Sequence, residues 1–72
     1  MKEDDVMNIT KEQIKVLRKY MNNIDELVSN GNIDDLLIEV DDAIIDNYDK
    51  DYEPTEASRE IQKIYDEIYL MN

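Results

Sequence analysis

Cysteine, histidine, tryptophan and phenylalanine are all absent from the chain. Without cysteine there is no disulfide and no thiolate metal ligand, which points to a reducing compartment. Without histidine the chain lacks the commonest general base and the commonest metal ligand. Its two serines, Ser29 and Ser58, stand in no strand–turn–helix elbow. The single glycine, Gly31, cannot by itself build a loop that cradles phosphate. These absences predict a protein that is not an enzyme and that carries no cofactor and no metal. One glycine and one proline also allow few sharp turns, which favours a few helices over many short strands. Apolar runs stop at four residues, such as Ile68–Met71, where a membrane helix needs about 20. The opening Met1–Asp5 is acidic where an export signal would be basic and then apolar. The expected location is therefore cytoplasmic, with no membrane partner.

Basic residues are scarce: eight against 19 acidic ones, for a net charge of −11. The imbalance is local. Between Asp34 and Glu53 there are nine acids and one base, Lys50, so this stretch carries −8. Charge of this kind governs partners and solubility more than fold. It excludes DNA or RNA as a direct ligand, because binding a polyphosphate requires basic residues to neutralise it. A basic protein surface is the complementary partner.

Seventy-two residues are enough for one domain. A domain of this size buries only about 60% of its unfolded surface, so its helices must pack efficiently or lean on a partner. Residues 1–9 read as a flexible acidic tail and 10–72 as a single all-α domain, a small three-helix bundle. The first helix is expected over 11–29. Thr10 and Gln13 make a capping box, Ile14, Leu17, Tyr20, Met21, Ile24, Leu27 and Val28 share one face, and Gly31 ends it. The second is expected over 33–47, capped by Asn32. Its inward stripe is Ile33, Leu37, Val40 and Ile44, extended by Tyr48 if the helix reaches it, with Leu36 on the flank. After a linker at 47–54 the third runs over 55–71 on Ala57, Ile61, Ile64, Ile68 and Met71, flanked by Tyr65 and Tyr69. The short link at Gly31 predicts an antiparallel pairing of the first two helices.

Asp49, Asp51, Glu53 and Glu60 fall at positions 1, 3, 5 and 12 of a calcium-loop frame. The sixth position of that frame needs a sharp turn and is normally glycine. Here it is Pro54, whose ring forbids positive φ. The frame is read as a solvated acidic loop.

The second helix carries the stronger signal. Asp35, Glu39, Asp42 and Asp46 form one outward stripe, about 16 Å long at 1.5 Å per residue. Neighbouring carboxylates stand about 5–6 Å apart, close to phosphate spacing along a nucleic-acid strand. Asp49 and Asp51 prolong the acidity into the linker, where Tyr48 and Tyr52 offer aromatic contact area. Ile38 and Ile45, one heptad apart, lie off the inward stripe and alternate with Asp34 and Asp41. A central helix touched from both sides would bury them, since exposed isoleucine is costly. Left open, Ile38 would be an apolar contact inside an acidic rim.

The expected function is a non-enzymatic acidic protein-binding module, using Asp35, Glu39, Asp42, Asp46, Asp49, Asp51, Tyr48, Tyr52 and Ile38. Its sharpest form is a phage or mobile-element inhibitor that mimics nucleic-acid charge and blocks a basic groove of a host defence or regulatory protein. The alternatives are an immunity or antitoxin protein that neutralises a basic toxin, and a homo-oligomeric structural module joined through the Ile61–Ile64–Ile68 seam. Against all of these stands a merely solvated acidic face. Within that last reading Lys11, Lys15 and Arg18 would partly neutralise Asp46, Asp49 and Asp51 inside the molecule.

Overall fold

A computed structural model describes residues 7–72. The described residues hold four helices and no strand: α1 (Lys11–Arg18), α2 (Ile24–Asn30), α3 (Ile33–Asp46) and α4 (Glu56–Met71). The all-α class is as expected, whereas the three-helix count is not. The single helix expected over 11–29 is two.

The start of α1 follows the sequence signal. Thr10 Oγ1 accepts from the Gln13 N–H at 3.0 Å and Gln13 Oε1 accepts from the Thr10 N–H at 2.9 Å. The helix then tightens and stops. The Lys19 N–H donates to Val16 O and the Tyr20 N–H to Leu17 O, both across three residues, the usual closing geometry of a helix end. Asn22 and Asn23 follow. Asparagine side chains compete for the backbone and favour turns, and a new helix begins at Ile24. Leu17, Met21 and Ile24 are nevertheless all buried. The apolar spacing thus runs unbroken across a bend and hides it from a periodicity reading.

Gly31 ends α2 with φ 72°, its N–H donating to Val28 O at 3.1 Å. Any side chain there meets the following carbonyl in the left-handed region. Gly31→Ala is therefore expected to lower unfolding free energy by about 1–2 kcal/mol, read as a lower urea midpoint with an unchanged slope.

In α3, Asn32 Oδ1 caps the Asp35 N–H at 3.1 Å, as expected. The inward face is turned from the expected stripe. Leu36, Val40, Ala43 and Ile44 are buried, while Ile33 and Leu37 are only half-buried. The rotation follows from the neighbours, since α3 packs against α4 and also against α2. Its buried centre must lie between the two contacts.

The 47–54 linker is a closed turn. Asp49 Oδ1 accepts from the N–H groups of Asp51 (2.8 Å) and Glu53 (3.0 Å), and the Asp49 N–H donates to Glu53 O at 3.0 Å. Tyr52 sits at φ 60°, an uncommon conformation for a residue with a bulky side chain. Thr55 joins this turn to α4: its hydroxyl donates to Asn47 O and accepts from the Ser58 N–H. Ser58 is buried and answers with Oγ accepting from the Thr55 N–H.

Helix α4 supplies Ile61, Ile64 and Ile68 to the core, whereas Met71, the expected end of that seam, is exposed. One cluster of buried residues draws on all four helices. The pairing of α3 with α4 is the most extensive and is antiparallel: Asp34 lies near Tyr69 and Tyr48 near Ser58. The first helix also runs antiparallel to α4, because Gln13 reaches Glu67 and Met71 while Tyr20 reaches Glu60.

Residues 1–6 of the expected acidic tail lie outside the described residues. Of the remainder, Met7 and Ile9 are packed against the core. Asn8 exchanges hydrogen bonds with Asn72 and Met71, at 3.0–3.1 Å.

Candidate partner-binding face

Helix α3 positions the acidic stripe. Asp35, Glu39, Asp42 and Asp46 recur every three or four residues on the side away from Val40 and are all exposed. The ion pairs among the described residues are Arg18–Asp25 (2.5 Å) and Lys19–Glu60 (3.7 Å), so none engages the stripe. Among the described residues, Lys11, Lys15 and Arg18 form no ion pair with Asp46, Asp49 or Asp51. Because α1 starts beside the C-terminal end of α4, Lys11 lies a helix length from the 49–53 turn, about 24 Å for 16 residues. The stripe keeps its charge.

The remaining expected site residues divide. Asp51 is exposed and Tyr52 is 81% exposed, whereas Tyr48 is half-buried against the core. Asp49 lies on the surface, but its carboxylate holds the turn together through two backbone N–H groups. Of the site residues expected in the 47–54 turn, Asp51 and Tyr52 are the ones left open to a partner. Among the described residues no group of three acidic side chains converges as it would around a metal ion.

Ile38 and Ile45 contradict the burial expected of a central helix, being 59% and 50% exposed. The two neighbours of α3 cover Leu36, Val40, Ala43 and Ile44 and leave the outer flank open. On that flank Ile38 faces a shallow groove of about 470 Å³ between α3 and α4. Leu37 and Tyr65, both half-buried, lie low in it, and Tyr69 forms the far wall. The Tyr65 and Tyr69 rings stack with centroids 6.3 Å apart and planes 18° apart. Asp34, Asp41 and Asp42 line the α3 side. Asp42 has a second role. Together with Glu39 and Asp46 it borders a depression beside the bend at Tyr20–Asn23, so it stands on the ridge between groove and depression.

The chain matches no protein family, no curated protein and no solved structure.

The fold brings Asp34, Asp41, Tyr65 and Tyr69 to Ile38. The signals for this were in the sequence as an i, i+4 tyrosine pair and a heptad of isoleucines. What the sequence lacked was the direction in which α4 crosses α3.

A second polar cluster, formed by Tyr20, Glu60 and Lys19, holds α1 on α4. The Tyr20 hydroxyl donates to Glu60 Oε1 at 2.5 Å. This hydrogen bond, with help from the Lys19 charge, lowers the Glu60 pKa against the opposing effect of burial. The same bond raises the Tyr20 pKa. A carboxyl whose folded pKa is depressed contributes stability that is present above its unfolded pKa, about 4.3, and is lost as pH falls through the folded value. Tyr20→Phe is thus expected to lower the urea midpoint at neutral pH and to flatten its fall in the acid range. Parallel curves for the two proteins across that range would show that Tyr20 does not set the Glu60 titration.

Proposed function

We infer that the protein is a non-enzymatic module that binds a basic protein surface through the acidic side of α3. Its sharpest form is an inhibitor of phage or mobile-element origin that occupies a nucleic-acid groove of a host defence or regulatory protein. The observation that carries this reading is the row Asp35, Glu39, Asp42 and Asp46, four exposed carboxylates on one helix with no ion-pair partner among the described residues. Like charges at these spacings cost a helix a few tenths of a kcal/mol per pair, so their concentration opposes folding and calls for a use. The row supplies long-range attraction and a phosphate-like repeat, while Asp51, Tyr52 and Ile38 supply contact at short range. The self-association seam is taken up inside the molecule, since Ile61, Ile64 and Ile68 are all buried.

The test uses the whole chain as bait in two forms, natural and with Asp42→Lys plus Asp46→Lys. The reading expects a protein of basic surface retained by the natural bait at low salt, released as salt rises, and missing from the reversed bait. Identical captures with both baits would overturn it.

A further inference from the structure

We propose that the groove between α3 and α4 receives an amphipathic basic helix, its apolar face on Ile38, Ile45 and Tyr69 and its lysines or arginines against Asp34, Asp41 and Asp42. The proposal rests on the reading of the chain as a binder of basic protein surfaces. It moves the specific contact from the outward stripe to the neighbouring groove.

Four observations lead there. First, Ile38 (59%) and Tyr69 (62%) stand exposed on the two sides of the groove, and Ile45 (50%), one heptad on from Ile38, continues the same face of α3 beyond the lining. Scattered exposed apolar residues are ordinary, but a contiguous group with a polar rim marks an interaction surface. Second, the aromatic wall is pre-formed, because Tyr65 and Tyr69 already stack on one another. An ordered ring offers contact area with little rotamer freedom left to lose on binding. Third, the repeat is helical. Ile38 and Ile45 are one heptad apart, and so are Asp34 and Asp41, each pair spanning about 10 Å. A partner helix with apolar residues at i, i+3 or i+4, and i+7 matches that spacing, and a groove between two antiparallel helices is the surface such a helix fills. Fourth, the side chains lining the groove include three aspartates and no base.

The charge selects among occupants. A second copy of the chain would bring another −11 and another acidic rim to the same face, and like-charge juxtaposition suppresses such pairing. Anionic lipid headgroups and nucleic acid are repelled for the same reason. An extended strand has nothing to join, because no sheet edge exists among the described residues. A helix with cationic flanks satisfies both the apolar floor and the rim. The groove then confers specificity through shape, while Asp35, Glu39 and Asp46, on the far side of Asp42, act at a distance on association rate.

The test uses two labelled synthetic peptides of identical leucine and lysine content. One places its leucines on a single helical face; the other scatters them around the helix. Each is titrated at low salt into the full chain, with binding followed by fluorescence anisotropy and by backbone amide NMR shifts. The amphipathic peptide is expected to bind at least about tenfold more tightly than the scattered one, with shifts centred on Ile38, Ile45, Tyr65 and Tyr69. A tenfold loss is expected in Ile38→Asp and, separately, in Tyr69→Ala. Both positions are exposed, and circular dichroism verifies that the helices persist. Asp35→Lys with Glu39→Lys is expected to cost less than either, chiefly through a slower association.

Equal affinity for the two peptides, with shifts gathered on Asp35, Glu39 and Asp46, would overturn the groove and leave the basic-surface reading standing. Binding of neither peptide would overturn both. A dimer in sedimentation that Ile38→Asp dissolves would overturn the basic helix in favour of a second copy.

Discussion

Leu36→Ala is expected to destabilise the protein by about 2–5 kcal/mol, the largest effect of any single truncation in α3. Leu36 is fully buried at the point where α3 meets its neighbours. Its removal forfeits the transfer free energy of three carbons and leaves a cavity that rigid helices close only in part. A protein of this length has a total stability of about 4–11 kcal/mol, and the lower part of that range is typical of small domains. The loss therefore removes about half of what holds the molecule together, and a substantial unfolded fraction is expected in buffer alone. Leu37→Ala is the natural comparison, because Leu37 is only half-buried. It should cost less than Leu36→Ala by at least about 1 kcal/mol. Urea unfolding followed by far-UV circular dichroism measures both. The reverse order, with Leu37 the costlier, would place the inward face of α3 on the Ile33–Leu37–Val40–Ile44 stripe and contradict the packing described.

Reversing Asp42 and Asp46 to lysine together is expected to weaken association with the basic partner by roughly 100-fold or more. Each reversal adds two charges, taking the net charge from −11 to −7. It also converts attraction to repulsion at two exposed positions that make no ion pair among the described residues. Like-charge juxtaposition across an interface costs several kcal/mol, and each 1.4 kcal/mol is tenfold in affinity. Part of the loss appears as slower association and fades with salt. The fold does not suffer. Repulsion between Glu39 and position 42, three residues on, becomes attraction. The lysine introduced by Asp46→Lys lies in the last turn of α3, where a positive charge favours the negative end of the helix dipole. Unfolding free energy is therefore expected to stay level or rise by a few tenths of a kcal/mol. Lost binding with a preserved midpoint separates a partner-directed stripe from a solvated one, and unchanged binding would sink the reading.

The legible and illegible parts of the fold differ in the range of the interactions that make them. Thr10–Gln13 and Asn32 cap as local chemistry predicts, and α3 and α4 lie within a residue of their expected limits. The break at Lys19–Asn23 was written only in Asn22–Asn23. The apolar period that outweighed it runs through the bend because Leu17, Met21 and Ile24 serve the same core on both sides. The candidate site was legible as chemistry and not as geometry. Four carboxylates on the outside of α3 follow from spacing alone. The capture of the Asp49 carboxylate by its own turn and the opening of Ile38 and Ile45 do not.

Composition and periodicity alone determined the helical class, the starts of α1, α3 and α4 and the concentration of charge on α3 and the turn after it. These depend on neighbours within one or two helical turns. Only the tertiary structure decided which way α1 runs beside α4, that Lys11 stands away from the acidic turn, and that Tyr65 and Tyr69 meet Ile38 across a groove. Each depends on how two or three apolar faces share one small core. A helix contacted from two sides rotates to divide its buried area between them, and nothing in its own sequence states where those neighbours will be.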